Sequence, residues 1–170
     1  MNQDIELKDL RELPRYHVET ITDEYLDIMG HMNVRWYVVL FSRAVTGLFK
    51  EIGMTEEYFA SGENGSFALR QFINYLAEVR SGETIAVHTR LIERSAKRIH
   101  LVHFMVNETR EVLSATMEAL VSHAVPSGNS REDRFAGIGS RRTALAGPSV
   151  WSDSRLRSAD PLTRRLSYGE

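Results

Sequence analysis

Asp27, Gly30, His31 and Asn33 fall in one short segment, Asp27-Ile28-Met29-Gly30-His31-Met32-Asn33, which runs directly into an apolar stretch from Val34 to Ile52. A carboxylate in such a place can act as a base or as a nucleophile. The start of a helix carries unpaired N–H groups and the positive end of the dipole, so it can hold a developing negative charge. Oxyanion support beside a carboxylate suits acyl chemistry: water attacks a carbonyl directly or through an acyl-enzyme anhydride, and Asp27 can serve either path. The plainer reading is also open, because many Asp residues before a helix only cap it or make a turn. Gly30 lets the backbone approach a ligand and adopt positive φ, or merely makes the turn. Asn33 reads as the helix N-cap more than as a ligand.

The elements that must position these residues follow from the apolar period. From Asn33 to Ile52, Val34, Tyr37, Val38, Phe41, Val45, Leu48, Phe49 and Ile52 recur at helical spacing, with Arg35, Ser42, Arg43, Thr46 and Lys50 on the other side. Gly53 is a suitable stop. With Trp36, Val39 and Leu40 added, the first half of this helix is apolar nearly all round, which calls for enclosure by a sheet or by a partner subunit. Tyr16 to Thr22 alternates as a strand before it, and a short helical piece is expected near Met54 to Ala60. Four strand candidates follow: Phe67 to Val79, Thr84 to Ile92, Arg98 to Val106, and Val112 to Val125. Turns as short as Ser81-Gly82 require antiparallel neighbours.

The chain of 170 residues, 42% of them apolar, is sized for one domain with extensions. Residues 1–14 read as an N-terminal arm set off by Pro14, residues 15–125 as the domain, and residues 126–170 as a disordered or loosely docked extension. That last segment holds three of the four prolines and eight arginines without a lysine. A net charge of −2 gives no general reason to expect nucleic acid or an anionic membrane as partner. The absence of cysteine removes disulfides, thiolate metal sites and cysteine nucleophiles. The residues before Pro14 lack a basic segment followed by an apolar run, and Val34 to Phe41 is far short of a membrane span, so a cytoplasmic protein is expected.

At Asp27 through Tyr37 the sequence resembles the hotdog-fold thioesterases of the 4-hydroxybenzoyl-CoA thioesterase type. It is similar to the branch whose motif reads Asp, two residues, then Gly-His-Met-Asn-Val, a group that includes betainyl-CoA thioesterases. The resemblance covers roughly Tyr16 to Val125. It implies an α+β hotdog fold, a long central helix wrapped by one antiparallel sheet of about five strands, with two subunits paired and sites near their interface. It implies an acyl-CoA thioesterase needing no cofactor, acting on a small-to-medium acyl-CoA such as betainyl-CoA, as a homodimer or dimer of dimers. By resemblance Asp27 is the catalytic carboxylate, and the backbone of Gly30, Met32 and Asn33 binds the oxyanion. Arg35 and Trp36 depart from the residues expected after Asn33-Val34, and the Arg-rich tail lies beyond the match.

Several other residues have two readings. His31 can bond the thioester oxygen, orient Asp27, or fix the loop. Trp36, Tyr37 and Tyr75 can line the acyl pocket and hold a quaternary ammonium by cation–π contact, or be core. Arg94, Lys97 and Arg98, clustered at a strand turn, suit the phosphates of coenzyme A, or form a solvated turn. No metal is expected: His100 and His103 are three apart on a strand and point to opposite faces. Two rival functions are a hotdog acyl-thioester hydratase or dehydratase and a non-catalytic acyl-CoA-binding module.

Overall fold

A computed structural model describes residues 6–62 and 64–124. Helix α1 (Leu7–Arg11) precedes strand β1 (Arg15–Thr20), helix α2 (Val34–Glu51) and helix α3 (Glu56–Ala60). Four strands complete the fold, β2 (Gly65–Tyr75), β3 (Thr84–Arg94), β4 (Arg98–Asn107) and β5 (Val112–Ala124). They form one five-stranded antiparallel sheet in the order β1-β3-β4-β5-β2. This is the α+β, helix-in-sheet arrangement expected of a hotdog fold. The extension at 126–170 lies outside the described residues, as do the first five of the N-terminal arm.

Helix α2 begins where capping chemistry places it. Asn33 has extended backbone and its side-chain oxygen accepts the Arg35 N–H at 3.1 Å. Tyr37, Leu40, Phe41, Ala44 and Leu48 point into the sheet and are buried. They meet alternate residues of the strands: Ile85 and Val87 on β3, Leu101 and Met105 on β4, Ala115, Met117 and Ala119 on β5. Period two makes this one face.

The other face carries a second cluster, Val102, Phe104 and Val106, covered by Leu10 and Leu13. Residues 7–13, expected as an arm set off from the fold by Pro14, therefore dock upon it. Their charged and apolar alternation hides two leucines one turn apart, whose burial contributes roughly 1.5–3 kcal/mol each. Thr89 N–H donates to the Pro14 carbonyl at 2.9 Å and fixes the entry into β1.

Strand β2 stops at Tyr75, four residues before the expected end at Val79. The N–H groups of Leu76 and Ala77 both donate to the Ser114 carbonyl, at 2.9 and 3.1 Å. Two donors on one acceptor break the ladder, and the chain leaves β5 to run past the Asp27 loop.

Two close contacts set the helix in its seat. A Cβ added at Gly47 would stand 2.6 Å from the Tyr16 carbonyl oxygen on β1, so a glycine in mid-helix, normally a liability, lets α2 and β1 approach. His103 is fully buried, its Nδ1 2.7 Å from Thr89 Oγ1 and its ring stacked on Phe41 at 5.9 Å. Burial pushes its pKa from 6.5 down to about 3, so the ring is neutral in the fold.

Gly47→Ala should lower stability by about 1–3 kcal/mol, read as an earlier thermal transition, since the obstacle is backbone and not a movable side chain. The His103 pKa has a second consequence. The unfolded chain takes up this proton first, so the contribution is full above about pH 6.5 and declines as pH falls towards about 3. Denaturant midpoints measured from pH 7 to 4 should fall more steeply in the wild type than in His103→Leu with Thr89→Val, which removes both buried polar partners together.

Candidate active site

The motif segment is a tight hairpin-like loop built on Asp27. Its N–H donates to the His31 carbonyl at 2.8 Å, and its carbonyl accepts the Gly30 N–H at 3.0 Å. Gly30 has φ +79 with open space about it, so the turn is what requires glycine. Asp27 Oδ1 accepts the Met29 N–H at 2.8 Å and, more weakly, the His31 N–H at 3.5 Å. Oδ2 makes no hydrogen bond among the described residues. Asp27 thus holds its own loop with one oxygen and presents the other.

The backbone donors differ from the expected set. Gly30 N–H is used within the turn, Met32 N–H donates to the Val79 carbonyl at 2.7 Å, and Asn33 N–H donates to the Tyr25 carbonyl at 2.9 Å. All three stitch the loop to its surroundings, so each already has a backbone acceptor. The helix start offers another. Asn33 Oδ1 takes the N–H of Arg35, the second helical residue, and the Asn33 carbonyl takes that of Trp36. The N–H of Val34 has no partner among the described residues, and it stands at the positive end of an 18-residue helix. The capping rule contained this signal: an Asn cap binds the second or third N–H and leaves the first.

His31 is oriented by a residue that the sequence reading missed. Its Nε2 lies 2.8 Å from Glu78 Oε2, both side chains about one-third exposed. A carboxylate only accepts, so Nε2 carries hydrogen and a neutral ring keeps Nδ1 as its acceptor. Glu78 is in turn held by Arg80, whose Nε donates to Oε1 at 3.0 Å. That hydrogen bond, then the charges of Arg80, His31 and Arg110, keeps Glu78 below the usual carboxylate range. The strand expected from Phe67 to Val79 puts position 78 in its interior, which conceals Glu78.

The aromatic residues divide. Tyr37 and Tyr75 meet edge-to-face with ring centroids 5.0 Å apart, Tyr37 buried and Tyr75 half-exposed. Burial, followed by the nearby Tyr75, pushes the Tyr37 hydroxyl up to about 12, so it stays protonated. Trp36 is on another side of α2, packed on Tyr25 at 4.6 Å, with the Arg35 guanidinium 5.2 Å over its ring. Its face is occupied, and it does not join the tyrosine pair.

Arg94, Lys97 and Arg98 do cluster at the β3–β4 turn. Ser95 Oγ accepts the N–H groups of Lys97 and Arg98 there, at 3.4 and 3.1 Å. Yet the loop that carries Asp27 adjoins the Thr84 end of β3, where Ile21 N–H donates to the Glu83 carbonyl at 2.8 Å. Ten steps of strand separate Thr84 from Arg94, about 33 Å at ~3.3 Å per residue. The basic turn and Asp27 of one chain are therefore at opposite ends of the sheet. His100 and His103 occupy opposite faces, His100 Nε2 pairing with Glu118 Oε1 at 2.7 Å.

Known proteins fit this geometry. The betainyl-CoA thioesterase of Pseudomonas aeruginosa is 30% identical over 83 residues, 49% of this chain and 52% of that protein. The L-carnitine dehydrogenase/betainyl-CoA thioesterase of Agrobacterium fabrum is 31% identical over 115 residues, 68% of this chain and 23% of that protein. The chain thus spans about half the length of one relative and about a quarter of the other. A Staphylococcus aureus protein solved in complex with CoA has the same fold, with TM-score 0.71 and 21% identity, covering 78% of this chain and 87% of that one. So does a 1,4-dihydroxy-2-naphthoyl-CoA thioesterase from Synechocystis, with TM-score 0.64 and 12% identity over 72% of this chain and 93% of that one. The thioesterase-like superfamily description matches residues 21–131, from the end of β1 to beyond β5, and the chain belongs to that superfamily.

Proposed function

We propose that the protein is an acyl-CoA thioesterase in which Asp27 Oδ2 is the reacting oxygen and Val34 N–H holds the oxyanion. The observation that carries this reading is the division of labour within Asp27: Oδ1 is fixed by the Met29 N–H at 2.8 Å, and Oδ2 is left for chemistry. In the direct path, Oδ2 takes a proton from water as the water oxygen bonds to the carbonyl carbon. In the covalent path, Oδ2 itself makes that bond and water later cleaves the anhydride. In both, the carbonyl electron pair moves to oxygen, where a helix-start N–H is worth about 3–4 kcal/mol, and collapse expels the thiolate of coenzyme A. His31, with Nε2 bound to Glu78, offers Nδ1 to the attacking water or to the thioester oxygen.

The working unit is a homodimer. Strand β2 is an edge of the sheet, and Phe67, Leu69, Phe72 and Tyr75 on it, with Leu76 just beyond, are 45–60% exposed. An apolar edge of this kind is covered in a stable protein, and a second β2 running antiparallel covers it with backbone hydrogen bonds. Such pairing turns the partner end for end. Arg94, Lys97 and Arg98 of one subunit then come to the end of the sheet that holds Asp27 of the other, where they serve the phosphates of coenzyme A. The names of the two relatives make betainyl-CoA one substrate to try, with Tyr75 as the exposed ring available to its ammonium group.

Asp27→Asn keeps an acceptor for Met29 and so should keep the melting temperature. Thiol release from acyl-CoA should drop about 10²–10⁴-fold; hydrolysis at the wild-type rate would remove Asp27 from the mechanism. Tight acyl-CoA binding by a wild type that releases no thiol would favour the binding module. Glu78→Gln retains an acceptor for His31 but removes the charge, a difference worth about tenfold. That loss should appear in kcat with KM nearly constant, because Glu78 positions His31 and does not touch substrate.

A further inference from the structure

Where the connection between β2 and β3 passes the Asp27 loop, Arg80 grips one oxygen of Glu78 twice. Its Nε donates to Oε1 at 3.0 Å, and its Nη2 lies 2.7 Å from the same oxygen. The other oxygen, Oε2, is left to His31 Nε2 at 2.8 Å. The carboxylate is thus held by one oxygen and aimed with the other. Side-chain exposures of 58% for Arg80 and 38% for Glu78 mean that this ion pair contributes little to stability. What it supplies is direction, because a planar guanidinium fixes the line along which its partner lies.

The backbone beneath these side chains is itself anchored. Arg80 N–H donates to Glu83 Oε2 at 2.9 Å, and the same oxygen accepts Nδ2 of Asn107 at 2.6 Å. Asn107 is fully buried at the end of β4, and its Oδ1 accepts the N–H groups of Thr109 and Arg110. Arg110 reaches back and donates from Nη1 to the Glu78 carbonyl at 3.2 Å. The Glu78 carbonyl and the Arg80 N–H are therefore both tied to the turn between β4 and β5. Over that fixed base the Arg80 side chain folds back onto Glu78, so little freedom remains to be lost when the grip forms.

We propose that Arg80 is a positioning residue for the reaction: by holding Glu78 Oε1 it keeps Oε2 on His31 Nε2, which fixes the hydrogen of the neutral ring there and leaves Nδ1 to accept. The inference rests on the thioesterase reading of the preceding section and adds to it a residue that touches neither substrate nor His31. Without the grip, Glu78 turns into solvent and the imidazole exchanges its hydrogen between the two nitrogens. Charge acts in the same sense. The hydrogen bond from Arg80 holds Glu78 below the usual carboxylate range, so Oε2 stays an acceptor only.

The test is a double-mutant cycle on the full chain, read by turnover and by nuclear magnetic resonance. Arg80→Gln should lower kcat for acyl-CoA hydrolysis about three- to fivefold, with KM and melting temperature nearly unchanged. Arg80→Lys, which restores the charge, should recover most of that loss. In a Glu78→Gln background the same Arg80→Gln change should cost less than about twofold, since the gripped carboxylate is gone. Equal losses in the two backgrounds overturn the inference, because Arg80 then acts elsewhere. A fall in kcat matched by a fall in melting temperature overturns it too, because Arg80 then only holds the fold. Two signals decide the matter without turnover. The carboxyl carbon of Glu78 should titrate at higher pH in Arg80→Gln, and the His31 Nε2–H should exchange faster with solvent. No change at either group overturns the inference whatever the kinetics show. Failure to cleave any thioester, with both signals shifted, is the different result that defeats the thioesterase reading and not the grip of Arg80 on the Glu78–His31 pair.

Discussion

The hydrogen bond from Met32 N–H to the buried Val79 carbonyl, at 2.7 Å, joins two segments that the sequence keeps far apart. On one side is the loop that ends in the Asn33 cap; on the other is the connection between β2 and β3. Because Val79 is fully buried, its carbonyl must find a donor or cost about 1–3 kcal/mol, so this pairing is enforced. It brings Glu78 to His31 and Arg80 to Glu78. It also sets the first turn of α2 beside the end of β2. The position of Val34 N–H and the orientation of His31 both descend from that contact.

The same bond explains why the expected oxyanion donors are not the ones left open. A loop of eight residues between a 3-10 turn (Asp23–Tyr25) and a helix has few ways to satisfy its backbone. Gly30, Met32 and Asn33 spend their N–H groups on that requirement. The helix supplies a donor at no further structural cost, since its first N–H has no internal acceptor in any case. The proposed chemistry draws on a group that folding does not use.

The fold was legible in the sequence because its determinants are periodic and local. The helical spacing from Val34 to Ile52 and the alternation of the strands gave the elements, with Asn33 and Gly53 marking the helix ends. Of the three aromatics expected together, Tyr37 and Tyr75 meet and Trp36 packs on Tyr25 instead. What stayed hidden was tertiary. The irregular end of β2 depends on two N–H groups meeting one carbonyl of β5, which no period encodes. Reading Val79 as strand concealed Glu78. The docking of Leu10 and Leu13 depends on an apolar outer face of β4 and the start of β5, and that face is recognised only once the strands have been paired. Arg94, Lys97 and Arg98 form a genuine cluster, but their distance from Asp27 follows from sheet register, and a single chain's sequence does not display it.

Helix α2 serves two tasks at different heights. Its first turn presents an N–H whose position is set by the cap and by the Met32–Val79 bond. Two to three turns later, Ser42 and Val45 help to bound an open groove against β2. A helix transmits little from one turn to another through its surface residues, because each i,i+3 or i,i+4 pair contributes only ~0.2–0.5 kcal/mol. Side chains on the later turns can therefore change size without moving the first turn. The rigid element between them is the row of core residues Tyr37, Leu40, Phe41 and Ala44, seated in the sheet. The start of α2 and its later turns are thus held independently, both fixed by the one row of core residues.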